Sequence, residues 1–169
     1  MSSRWKPSVT VAAIVSRQLD GETRWLLVEE HTLEGLMLNN PAGHLDPEES
    51  PLQAVVREAL EETTCTFIPE RLIGVYMSRF QRPSRGEDVT YLRFAYAGTA
   101  GDADPQRRLD DGIVRTLWMT LAEVRASCDR HRSALVLKCI EDDAAGRCFP
   151  LDLVSVDASL YAPEVKASE

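Results

Sequence analysis

Apolar and polar positions follow two rhythms along the chain, one of period two and one helical. Residues 9–15 (Val-Thr-Val-Ala-Ala-Ile-Val) are rich in β-branched side chains and predict a strand. Asp20-Gly21 is a hairpin turn signal and Trp25-Leu26-Leu27-Val28 supplies the second arm, so the chain opens with a predicted hairpin. Asn39-Asn40-Pro41-Ala42-Gly43 and Asp46-Pro47 read as loop. Ser50 as N-cap, Pro51 at the first helical position and Gln53 closing a capping box start a helix that should run to about Thr63. Further strands are expected over residues 72–77, 89–97 and 114–119, with 82–86 joining the first two and a polar loop over 98–106. Thr120 and Glu123 fit a second capping box, and Leu135, Val136, Cys139 and Ile140 mark a helical period within 133–145. From residue 157 no period is visible. The expectation is one mixed α and β domain over residues 1–156, followed by a loose tail over 157–169.

The helix after Ser50 carries the unusual chemistry. Leu52, Val55, Val56, Ala59, Leu60 and Thr63 share one face, expected to be buried, while Glu58, Glu61 and Glu62 gather on another beside Arg57. Glu58 and Glu62 stand i,i+4 and repel. Carboxylates in the second half of a helix also meet the negative end of its dipole, each disfavoured by about 0.3–1 kcal/mol. Local helix physics therefore opposes the cluster. A bound divalent cation reverses the sign, since hard oxygen ligands on one face suit Mg²⁺ or Mn²⁺. A solvated glutamate-rich face is the plainer alternative.

Charge sharpens that choice. The 169 residues hold 19 Lys plus Arg against 27 Asp plus Glu, a formal net charge of −8, and no basic block stands out. A nucleic-acid polymer or an anionic membrane surface is therefore not the expected partner. A phosphorylated small molecule remains compatible, provided metal ions offset the acidity. Cys65, Cys128, Cys139 and Cys148 show neither a C-x-x-C pair nor zinc spacing, so reduced thiols and a cytoplasmic location are expected. The apolar run after Lys6 is interrupted by Thr10 and lacks a clean cleavage site, and so reads as a strand rather than a signal segment.

Residues 43–65 resemble the Nudix box, the pattern G-x5-E-x7-R-E-U-x-E-E-x-G-U in which U is a bulky aliphatic residue. The match runs Gly43, Glu49, Arg57-Glu58-Ala59, Glu61-Glu62 and Thr64-Cys65. Ala59 and Cys65 are small for U, and Thr64 stands where the family has glycine. Asn40-Pro41-Ala42-Gly43-His44-Leu45, Leu27-Val28-Glu29-Glu30, Leu92-Arg93-Phe94, Arg132-Ser133 and Pro150-Leu151 are similar to the bacterial NudJ branch, a likeness covering roughly residues 6–154. Leu38 occupies a position where that branch tends to carry tryptophan.

The resemblance implies an α/β fold, a Nudix-type α/β/α sandwich with a mixed central sheet. It implies a Mg²⁺- or Mn²⁺-dependent hydrolase, a monomer or small homo-oligomer, that cleaves the P–O–P bond of nucleoside di- and triphosphates or of thiamine-pathway pyrophosphates. The alternative is a non-catalytic Nudix-fold domain that senses a ligand. By the same resemblance Glu58, Glu61, Glu62 and the Ala42 carbonyl would hold metal, Arg57 would orient the glutamates, and Gly43 and Glu49 would shape the loop. The general base would be Glu58, with Asp110 or Asp111 as the loop alternative. Arg93, alternating with Leu92 and Phe94 on a strand, and Phe80 are the candidates to touch substrate. Tyr76, Tyr91 and Tyr96 read as packing, His44 as a structural loop residue, and Arg79, Arg82 and Arg85 as solvated charge. Thr64 is expected to leave the helix with negative φ, its hydroxyl bonded back to a carbonyl of the last turn.

Overall fold

The computed structural model describes residues 4–161. Asp20 and Gly21 both take positive φ, 52° and 82°, the backbone a two-residue hairpin needs to follow the strand twist. They join β1 (Ser8–Leu19) to β2 (Glu22–Thr32), as the turn signal predicts. β1 then serves two neighbours along its length. Its last residues pair antiparallel with β2, and residues 8–15 pair parallel with β6 (Glu87–Ala100). β6 in turn pairs antiparallel with β5 (Phe67–Arg82), β3 (Gly35–Asn39) lies outside β2, and β7 (Ile113–Thr120) also pairs β2. The result is a mixed seven-stranded sheet.

Alternation along β1 divides the core. Val11, Ala13 and Val15 pack with Ala54, Val55, Phe67 and Tyr96 on the side of α1 (Pro51–Thr63). Ala12 and Ile14 pack with Ile73, Val124, Val136 and Ile140 on the side of α2 (Leu121–Ala126) and α3 (Leu135–Ala144). The sheet is thus covered on both faces, the α/β/α sandwich expected. Both capping boxes form: Ser50 Oγ accepts from the Gln53 N–H, and Thr120 caps α2 through Glu123. A 3₁₀ turn at Ala158–Tyr161 lies within the stretch read as a tail, and the Tyr161 hydroxyl donates to Gln53 Oε1 at 2.9 Å. The remainder of that stretch, residues 162–169, lies outside the described residues.

Three expectations need correction. The loop reading of residues 39–43 missed β4 (Ala42–His44), which is too short to show a period yet pairs antiparallel with β1. β5 and β6 run to the tip of their hairpin, and only Pro83–Arg85 forms the connecting turn. Thr64 does not leave the helix with negative φ. It is left-handed, φ 58° and ψ 9°, and its N–H bonds to the Leu60 carbonyl. The back-bonding hydroxyl belongs to Thr63, which donates to Ala59 O at 2.5 Å and accepts from the Cys65 N–H at 3.1 Å. Thr64 O is taken by the Asp104 N–H, so tertiary pairing holds the threonine where glycine would sit freely.

Candidate active site

β4 brings the first residues of the box into register with β1 and beside α1. The Leu45 N–H bonds Val9 O and the Ala13 N–H bonds Pro41 O, so the odd-numbered residues of β1 make the ladder bonds to β4. By the alternation of an antiparallel pair, the N–H and C=O of Ala42 and of His44 then face away from β1. Both are used toward α1. The Ala42 N–H donates to Glu62 Oε2 at 2.8 Å, and His44 O accepts from Arg57 Nη2 at 3.0 Å. The Ala42 carbonyl shares the outward direction of its own N–H. Between them, Gly43 has no Cβ for a reason: one would stand inside van der Waals contact with the Glu58 carboxylate.

Arg57 organises the loop ahead of the helix. Nε and Nη2 grip Glu49 at 3.0 and 2.7 Å, and Nη1 reaches Glu58 at 2.7 Å and Glu61 at 3.0 Å. Glu49 also accepts the Asp46 N–H at 2.7 Å, which closes the loop onto α1. The Arg57 hydrogen bonds are the main reason the Glu49 carboxyl titrates below its ordinary range. Burial acts the other way on the cleft pair. It raises Glu58 despite Arg57 beside it, and pushes Glu62 up to about 8 despite the Ala42 N–H, with Glu58, Glu30 and Asp110 adding repulsion.

Glu58, Glu62 and Ala42 line a cleft of about 1180 Å³. Glu61 does not line it; it stands half-exposed, paired with Arg57. The four expected metal ligands are therefore not gathered as one set, and among the described residues no three His, Cys, Asp or Glu side chains converge on a common point. The donors that do share the cleft are all oxygen, two of them carboxylates raised by burial, and this chemistry fits a hard divalent cation. Asp110 and Asp111 form the turn before β7, with the Ile113 N–H on Asp110 O. Asp110 docks on the end of α1 through its N–H to Glu61 O at 2.9 Å, outside the cleft wall.

A family model, NUDIX domain, matches residues 6–138. The chain belongs to the NUDIX family. Phosphatase NudJ of Escherichia coli strain K12 is 32% identical over 151 residues, spanning 89% of this chain and 92% of that protein. A NUDIX hydrolase from Nitrosomonas europaea, of known structure, is 46% identical with a TM-score of 0.78 over 90% of this chain and 98% of its own. The NUDIX domain of Shewanella oneidensis NrtR, solved with ADP ribose, shares the fold at 18% identity and a TM-score of 0.67, over 85% of this chain and 90% of its own. The chain is accordingly a NUDIX hydrolase, an enzyme acting on phosphoric anhydrides.

Some of the residues singled out in the sequence line the NUDIX cleft. Arg93 lies on its floor and Phe80 at its mouth, with the Arg82 guanidinium 5.1 Å from the Phe80 ring centre. Tyr91 also lines the cleft, its ring 6.2 Å from that of His44, whereas Tyr76 and Tyr96 are core as expected. Arg82 is not a solvated charge: it pairs with Glu87 at 2.7 Å and with Glu34 across the cleft mouth. Leu38 is fully buried and takes no part in the wall, where Met37 and Asn39 stand instead. Thr10, Glu30, Asn39, His131, Arg132 and Ser133 line the cleft without having been singled out as site residues. Thr10 left a signal, being the polar interruption of an otherwise apolar strand. Glu29 left none: it is buried between Arg115 at 2.7 Å and Arg130.

Proposed function

We propose that this enzyme is a Mg²⁺- or Mn²⁺-dependent pyrophosphohydrolase of small phosphorylated metabolites, with nucleoside di- and triphosphates or thiamine-pathway pyrophosphates as its substrates. The observation that carries the reading is the meeting of Glu58, Glu62 and the outward carbonyl of Ala42 in one cleft. Glu58, Glu62 and Ala42 O would hold the metal, with Glu61 completing the set if it swings from Arg57. When bound, the metal offsets the anionic oxygens of a diphosphate and acidifies the attacking water. Glu58 is the proposed base, being one of the two carboxylates that share the cleft with the Ala42 carbonyl. Arg57 orients Glu58 and Glu61 and limits how far Glu58 can turn. Glu49 holds Arg57 from the far side, and Phe80 at the mouth offers a face to the organic group. The similarity to the E. coli phosphatase NudJ supports release of orthophosphate.

A substrate panel with Mg²⁺, reading orthophosphate and pyrophosphate separately, tests this. Release from at least one nucleoside or thiamine-type diphosphate is the expected result. No release across the panel would leave the fold without the proposed activity.

A further inference from the structure

The cleft is lined by a buried cation that has no carboxylate partner among the described residues. Arg93 is 8% exposed, yet neither its Nε nor its Nη1 makes a hydrogen bond. A guanidinium taken out of water without a carboxylate or comparable acceptor is costly, and such groups are ordinarily paired. Its neighbours offer little. The Cys139 thiol lies against it, and the Glu62 and Glu30 carboxylates act on it only through their charge. Other buried carboxylates nearby have ion pairs: Glu29 with Arg115 and Arg130, Asp142 with Lys138 and Arg147, Asp143 with Arg71; Glu62, which accepts the Ala42 N–H, is the exception.

Strand register explains where Arg93 points. Thr10 pairs with His44 on one side and with Arg93 on the other, so these three side chains share one face of the sheet. All three line the cleft. Thr10 Oγ1 is buried there without a hydrogen-bond partner, and its O–H is a free donor. The wall above is the beginning of α3: Ser133, Ala134 and Leu135 line the cleft, and the N-cap Ala134 has no side chain that can cap. Ser133 Oγ covers the Leu135 N–H at 3.3 Å, but the positive end of the helix still faces the cleft.

We propose that Arg93, Thr10 and the start of α3 form a phosphoryl subsite on the cleft floor, distinct from the carboxylates of α1, which holds the part of the substrate's phosphate chain that the carboxylates do not engage. The inference deepens the pyrophosphohydrolase reading and rests on it for the identity of the ligand. The anion chemistry itself is independent of turnover. It also selects among substrates: a compound offering one phosphoryl group fills one half of the site, and a diphosphate or longer chain fills both.

The test uses inorganic phosphate as probe, in EDTA, so that the carboxylate half of the site is silent. Titration by NMR or calorimetry against wild-type protein should show saturable binding that equal ionic strength of chloride does not reproduce. Arg93→Met should weaken it at least about tenfold, in keeping with the loss of charge-assisted hydrogen bonds, while leaving the anion-free melting temperature equal or higher. Arg93→Lys keeps the charge and should retain part of the binding, which serves if the methionine variant does not fold. Absence of saturable phosphate binding to the wild type, or equal binding by wild type and both variants, would overturn the subsite. Phosphate binding through Arg93 in a protein that turns over no diphosphate would refute the enzyme reading and leave the subsite standing. Turnover without phosphate binding would do the reverse.

Discussion

Glu62 accepts the backbone N–H of Ala42 at 2.8 Å while burial pushes its carboxyl up to about 8. The two facts pull against each other, and the contest sets how the metal-free protein responds to pH. In the unfolded chain the same group titrates near 4.5, so between that value and about 8 the folded state holds a proton the unfolded state has lost. Its contribution is complete below the unfolded value and is lost as pH rises toward the folded one. Glu62→Gln should therefore stabilise the metal-free protein near pH 8, by roughly 1–3 kcal/mol, and by very little near pH 5 or below. Denaturant melts of both proteins in EDTA at the two pH values check this; equal melts at the higher pH would contradict it.

Glu29 should behave in the opposite sense. The Arg115 hydrogen bond, with Arg130 beside it, outweighs burial and lowers its carboxyl. Stability from this group is present above the unfolded value of 4.5 and is lost as pH falls through the folded one. Both arginines are substantially exposed and recover water when released, so Glu29→Gln should cost only about 1 kcal/mol near neutral pH. The difference should shrink toward zero in acid, as followed by urea melts across the pH range.

Arg57→Lys keeps the charge but cannot reproduce the two-point grip on Glu49 together with the bonds to Glu58, Glu61 and His44 O. Orienting partners of this kind typically cost 10–100-fold in activity when removed, so turnover should fall by about that factor. Amide exchange over residues 44–49 should rise at the same time, because that loop is held mainly through Arg57 and Glu49. Full activity with an unchanged loop would show that Arg57 does not position the glutamates.

Thr64→Gly should stabilise. A β-branched residue in the left-handed region is strained by roughly 1–2 kcal/mol, while glycine adds about 0.4–1 kcal/mol of unfolded-state freedom to be lost. The net is a gain between zero and about 1.6 kcal/mol, each kcal/mol raising the melting temperature by about 2–4 °C for a chain of this size. Metal-dependent turnover should stay within a few-fold, because Thr64 faces the Asp104 loop and not the cleft. A lower melting temperature would mean that the contacts of the threonine side chain outweigh its strain.

How far the sequence disclosed this structure depended on the range of the interactions. Ser50, Gln53, Thr120 and Glu123 act within one helical turn, and the Asp20-Gly21 turn needs only its own backbone; all were legible. The likeness to the box carried Glu49, Arg57 and Gly43 together before any distance was known. What escaped was decided by partners far along the chain. Thr64 is fixed by Asp104, and Glu29 by Arg115 and Arg130. β4 exists because β1 offers it an edge, not because Ala42–His44 has strand character. Arg93 could be placed on a strand, but that it lacks a carboxylate partner among the described residues is visible only once β1, β6 and α3 have closed around it.

The most direct measurement is turnover of the best panel substrate by wild-type enzyme and by Glu62→Gln and Glu58→Gln, each with Mg²⁺ and with EDTA. If the oxygens of Glu58, Glu62 and Ala42 form the reactive centre, wild-type turnover is abolished by EDTA. Each variant should lose several orders of magnitude in Mg²⁺, although both remain folded. Turnover that survives EDTA, or a variant keeping more than about a tenth of wild-type activity, a loss under roughly 1.4 kcal/mol of barrier, would contradict that assignment.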